Sequence, residues 1–94
     1  MISGQKEQLM IYCLAVFKSR THTVGFAKFM RAHGVDCSVV PTPTDARLGC
    51  GVSAKFPYAQ LSFARQVVSA LGFSSFSGIY SVKKDGLKQY ITLL

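Results

Sequence analysis

Leu9 to Phe17, LMIYCLAVF, is an unbroken run of nine apolar residues. A strand with one face in water alternates apolar with polar residues. A continuous run of this kind belongs instead to a strand near the middle of a sheet, covered on one face and partly on the other. It is far short of the roughly 20 residues a membrane-spanning helix needs. Lys18, Ser19 and Arg20 follow it where a secretory leader would have a small-residue cleavage site, so neither an anchor nor secretion is expected.

The rest of the chain reads as further short elements separated by glycine and proline. Phe26, Phe29, Met30 and His33 fall at i, i+3, i+4 and i+7 and predict a helix from Thr21 to His33, with Gly34 as its left-handed end. Val35, Cys37 and Val39 alternate with polar residues as a second strand, which Pro41 and Pro43 terminate. Val52, Ala54 and Phe56 give a third strand that stops at Pro57. Pro57 also suits the first position of a second helix, Pro57 to Leu71, with Leu61, Ala64, Val68 and Leu71 as its stripe and Gly72 at its end. Phe76 to Val82 is a fourth strand, and Asp85-Gly86 signals a type I′ hairpin into a fifth, Leu87 to Leu93. Residues 1–8 are polar without period and are expected to form a disordered arm, which leaves 9–94 as one domain. The order β-α-β-β-α-β is that of the α+β, ferredoxin-like fold: an antiparallel sheet with two helices on one face, here extended by a C-terminal hairpin strand. The free edge of that strand could pair with a second copy of the chain.

Eleven Lys and Arg against four Asp and Glu give a net charge of +7, which favours anionic partners. The four carboxylates, Glu7, Asp36, Asp45 and Asp85, include no two within one helical turn. Paired-carboxylate hydrolysis and carboxylate-rich calcium or magnesium sites are therefore not expected. The three cysteines, Cys13, Cys37 and Cys50, are odd in number and contain no C-x-x-C pair. No disulfide framework or zinc knuckle is indicated, and a reducing cytoplasm is the expected location. No cofactor is called for. The third strand lacks the aromatic-glycine pattern that stacks bases, so nucleic acid ranks second as a partner.

In this topology the first two strands run parallel and end at the same edge of the domain. That edge collects Ser19, Arg20, Thr21 and His22 at the first helix start, and the connection Pro41 to Gly51. The connection is about twice the usual length, a property of functional or disordered loops, and its two prolines argue against disorder. Cys50 lies between Gly49 and Gly51, without neighbouring side chains in sequence. A thiolate gains from a helix N-terminus and from nearby Arg or His, and Arg20, Arg47 and His22 are the candidates. Ser19 and Thr21 can cap the helix or bind an anion. Against this stands a plain alternative, that Cys50 is a small apolar residue beginning a strand. His22 could assist the thiol but is better explained as a solvated first-turn residue, and His33 is given no role. Cys13 and Cys37 lie in apolar strands and are assigned to the core. Metal binding by Cys50 and His22 lacks a third ligand.

Phe17-x-Ser19-Arg20-Thr21, Thr42-Pro43 and Gly49-Cys50-Gly51 followed by Val52-Ser53-x-Lys55-Phe56 resemble the small bacterial proteins grouped as selenium/sulfur carrier-like. The resemblance spans roughly Ile11 to Val82. It implies a carrier that holds a persulfide-type group on Cys50, with donor and acceptor proteins as partners, and leans away from an enzyme that turns over alone. Thr42, Gly49 and Gly51 would support the site. The family pattern usually reads Thr-Pro-Arg, whereas Thr44 follows Pro43 here, so Arg47 or Arg20 would have to supply that charge. The alternative function is a small-anion-binding, regulatory or assembly module without covalent chemistry, which would tolerate Cys50→Ser.

Overall fold

The computed structural model describes residues 9–43 and 49–94. The expected N-terminal arm and Arg47 lie outside them. The elements are β1 (Leu9–Phe17), α1 (Arg20–Ala32), β2 (Ser38–Pro41), β3 (Val52–Pro57), a 3₁₀ turn (Tyr58–Gln60), α2 (Leu61–Leu71), β4 (Phe76–Asp85) and β5 (Lys88–Leu93). They make a mixed α+β fold with one five-stranded sheet in the order β2-β3-β1-β4-β5. Every neighbouring pair is antiparallel.

The apolar run forms the central strand because both of its faces are used. Cys13, Ala15 and Phe17 point to the side where α1 contributes Phe26, Ala27 and Met30 and α2 contributes Ala64 and Val67. Leu14 and Val16 point to the opposite side, where they join Val82 under Tyr12, Val40, Tyr80 and Ile91. Both helices thus cover one face, and strands alone build the other cluster. Phe17, Phe26 and Phe73 stand with ring centroids 5.2 to 6.2 Å apart in tilted and edge-on pairs, the arrangement aromatic quadrupoles favour.

Gly34 and Gly72 end the helices with φ of +84° and +61°, as expected of left-handed caps. Four expectations need correction. The second strand starts at Ser38 instead of Val35. Val35 and Cys37 are buried, but against the helix layer, without strand pairing. The second helix begins at Leu61. Pro57 is the last residue of β3 and pairs with Tyr12, and the 3₁₀ turn occupies the gap. Within α2, Val67 is buried while Leu71 is 46% exposed, so the apolar stripe runs one position off at its end. The hairpin loop is Gly86-Leu87, because Asp85 pairs with Lys88.

The pairing of β1 with β4 slips between Val16 and Phe17: Val16 faces Gly78, but Phe17 faces Phe76. Ser77 is the extra residue, a bulge. It brings Phe76 to the helix side, 5.6 Å from the Phe17 ring. No helix among the described residues is long and apolar enough to cross a membrane.

Candidate functional site

β3 is antiparallel to both β1 and β2, so β1 and β2 end at one edge and β3 begins there. β4 begins there too, since Phe76 lies opposite Phe17. Four segments therefore meet, and backbone bonds tie them together. Lys18 N–H donates to the Ser75 carbonyl at 2.9 Å, and Ser19 N–H donates to Ser75 Oγ at 3.2 Å. Thr42 N–H donates to the Gly51 carbonyl at 2.9 Å, closing the base of the connection. The Thr42 hydroxyl lies 2.6 Å from Ser53 Oγ, which gives the fully buried Ser53 its partner.

The two glycines flanking Cys50 are required for different reasons. Gly49 has φ +72°, and a Cβ there would stand 2.6 Å from the Phe17 carbonyl oxygen and 2.8 Å from Val16 Cγ1. Only a hydrogen fits. Gly51 has φ +93° with open space around it, so conformation alone demands glycine. Gly49 thus lies against the end of β1, and Cys50 stands over the first turn of α1, with its Sγ near Thr23.

Cys50 is partly exposed. Its Sγ lies 3.7 Å from Thr23 Oγ1 and, as a neutral thiol, donates to the Val52 carbonyl at 3.7 Å. Partial burial pushes the thiol up. Hydrogen bonding at the backbone of Val52, from the Thr23 hydroxyl and at the backbone of Cys50, together with the Arg20 charge, outweighs burial and brings the thiol below its usual 9.0. The other two thiols go the opposite way. Burial pushes Cys13 up to about 11 against the opposing Arg65 charge. It also pushes Cys37 up to about 11, with Arg31 opposing and Asp36 adding.

Ser19 is the N-cap of α1. Its Oγ accepts from His22 N–H at 3.2 Å, and its carbonyl accepts from Thr23 N–H at 3.0 Å and from the Thr23 hydroxyl at 3.1 Å. Thr21 and Arg20 are exposed. His22 is turned toward β4: Nδ1 lies 2.6 Å from Ser75 Oγ and its ring lies tilted against Phe73 with centroids 5.4 Å apart. Ser75 Oγ accepts from Ser19 N–H and shares a second hydrogen bond with the His22 ring. His22 thus joins α1 to the start of β4. His33, at the far end of α1, stacks on Phe29 at 4.2 Å, and its Nδ1 bonds the Phe29 carbonyl at 2.9 Å.

Thr23 and Ser75 were not singled out from the sequence. Thr23 was detectable as the residue one turn beyond Ser19 on the buried side of the helix. Ser75 was detectable from the rule that a strand antiparallel to β1 must start where β1 ends. Among the described residues, no group of three or more His, Cys, Asp or Glu is placed to hold a metal ion.

Iodoacetamide should modify Cys50 far ahead of Cys13 and Cys37, with a rate that rises with pH around a midpoint below 9.0, because the thiolate is the reactive form. Thr23→Val removes one donor to the thiolate and should move that midpoint upward. Arg20→Gln should do the same, with a smaller effect in high salt, where the charge is already screened. An unchanged midpoint in Thr23→Val would show that the hydroxyl does not act on the sulfur.

Fold and site together define a small α+β protein with one partly exposed thiol and two buried ones. The chain belongs to the family described as Putative Se/S carrier protein-like, whose model matches residues 12–81. No curated protein and no solved structure matches it. The family description supports sulfur or selenium carriage in general, with donor and acceptor partners.

Proposed function

We propose that Cys50 carries sulfur or selenium as a terminal chalcogen atom beside an anion-binding N-terminus of α1. The observation that carries this is the contrast among the three cysteines. Cys50 is partly exposed with a lowered pKa, while Cys13 and Cys37 are buried with raised values. The order of β2, β3, β1 and β4, with both helices on one face, supports the ferredoxin-like plan, with β5 added outside β4.

In loading, the Cys50 thiolate attacks the terminal sulfur of a donor persulfide. The new Cys50 S–S bond forms as the donor S–S bond breaks, and the donor cysteine leaves as thiolate with the bonding pair. The proton stays on the terminal sulfur until that group ionises. In discharge an acceptor thiolate attacks the same terminal atom, and Cys50 is the leaving thiolate. No external oxidant or reductant is consumed. A low thiol pKa serves both steps, since it supplies the attacking anion and makes Cys50 a good leaving group.

The terminal anion needs donors that are not already committed. The Ser19 side chain and carbonyl occupy the amides of His22 and Thr23, which leaves those of Arg20 and Thr21 in the first turn to face an anion. The Arg20 guanidinium adds charge, and Thr23 can release the Ser19 carbonyl to donate to the sulfur. Arg47 is retained as a second cation from the sequence. Thr42, Gly49 and Gly51 shape the loop. The chain acts as a co-substrate between a donor and an acceptor protein in a reducing cytoplasm. Incubation with a cysteine desulfurase and cysteine, followed by peptide mass mapping, tests this: the gain of one sulfur must fall on Cys50 and be lost on reduction.

A further inference from the structure

We propose that the groove along the outer side of α1 docks an acidic segment of the protein that delivers the chalcogen to Cys50. This rests on the carrier function proposed above. Among the described residues, Arg20, Thr21, Val24, Gly25 and Lys28 line the groove, which has a volume of about 380 Å³. Arg20 stands at its head, in the same first turn of α1 as Thr23, whose Oγ1 lies 3.7 Å from Cys50 Sγ, so a segment lying in the groove ends one helical turn from the thiol's contact.

Three features point to a carboxylate-bearing occupant. First, α1 contains Arg20, Lys28 and Arg31 and no carboxylate. Arg31 is already committed, its Nη1 donating to the Cys37 carbonyl at 2.8 Å, which leaves Arg20 and Lys28 along the groove without an acid on their own helix. Second, Gly25 sits inside the helix, where glycine costs about 1 kcal/mol relative to alanine. No packing demands it, since the nearest atom to a Cβ there would be Phe73 Cε1 at 4.0 Å. Its effect is to leave the groove floor low enough for a peptide backbone.

Third, the eight-residue separation of Arg20 and Lys28 corresponds to about 12 Å along a helix. In an extended chain, side chains four positions apart point the same way and are separated by about 13 Å. An extended segment with carboxylates at i and i+4 meets both cations at once. The groove has no aromatic side chain among its described lining residues on which a base could stack, which favours an acidic peptide over single-stranded nucleic acid.

The test is an NMR titration of the full ¹⁵N-labelled chain at low salt with hexaglutamate, hexaglutamine and a six-residue oligothymidylate, repeated for Lys28→Glu. Hexaglutamate should shift the amides from Arg20 to Lys28, and hexaglutamine should not. Lys28→Glu should raise the hexaglutamate dissociation constant about tenfold, as removal of one surface pair and creation of a repulsion imply. The Cys50 alkylation rate should be unchanged in Lys28→Glu. Equal binding of hexaglutamate to both proteins, shifts located elsewhere, no binding, or tighter binding of the oligothymidylate would each overturn the docking assignment. These results are independent of sulfur loading. A wild-type chain that binds hexaglutamate in the groove but gains no sulfur at Cys50 would remove the carrier function and the donor as occupant, and would leave an acidic-peptide site.

Discussion

Cys50→Ser should abolish sulfur loading completely. After incubation with a cysteine desulfurase and cysteine, the wild-type chain should gain the mass of one sulfur atom and the variant none. Serine is close to cysteine in size, but its hydroxyl stays protonated at any pH where the protein is folded and cannot open a persulfide. Neither remaining thiol can take over, because both are buried and held protonated up to about 11. The fold should persist. Cys50 is partly exposed and the hydrogen bonds of its sulfur among the described residues are long, each at 3.7 Å, so the variant should unfold within about 0.5 kcal/mol of wild type. A gain that survives in Cys50→Ser would assign the carrier role elsewhere.

Gly49→Ala should destabilise the fold by about 3 kcal/mol, from backbone strain at positive φ together with overlap against neighbouring atoms. For a domain of this size that lowers the thermal midpoint by roughly 10 to 20 °C. The overlap is hard to relieve, because the nearest atom is the Phe17 backbone carbonyl at 2.6 Å, within the paired central strand. Gly51→Ala is the matched comparison. It meets open space and should cost only about 1 to 2 kcal/mol for the left-handed backbone. Where folded Gly49→Ala can be recovered, its loop must stand off from β1, Cys50 must lose its approach to Thr23, and the alkylation midpoint should move upward. Equal stability of the two variants would mean that Gly49 does not pack on β1 as described.

The central strand and the helix ends were legible in the sequence because each has a single physical explanation. LMIYCLAVF suits a strand covered on one face and partly on the other, and Gly34 and Gly72 stand where the backbone turns left-handed. The misplaced boundaries have a common cause, which is that one residue pattern can answer two demands. Val35 and Cys37 alternate because they reach into the helix layer, and alternation reports burial whether or not a strand partner is present. Pro57, at φ −65°, suits a strand end as well as a helix start. Asp85-Gly86 reads as the centre of a hairpin, but Asp85 is still paired to Lys88.

The site was legible to the extent that it follows from topology. Parallel β1 and β2 deliver Cys50 and the start of α1 to one edge, and the Gly-Cys-Gly sequence marks a loop that needs unusual backbone angles. The residues that complete it, Thr23 and Ser75, depend on which side of a helix turn faces inward and on where β4 begins. Neither was available until the strand order was known. Arg47, named from the sequence, lies outside the described residues.

The sequestering of Cys13 and Cys37 also governs how the protein ages in air. With two sulfurs locked in the hydrocarbon layer, oxidation has one outlet, and a concentrated sample should accumulate a symmetric covalent dimer bridged at Cys50 and stop there. No ladder of higher species and no scrambled monomers should form, and a single reduction step should return the whole preparation to its starting state.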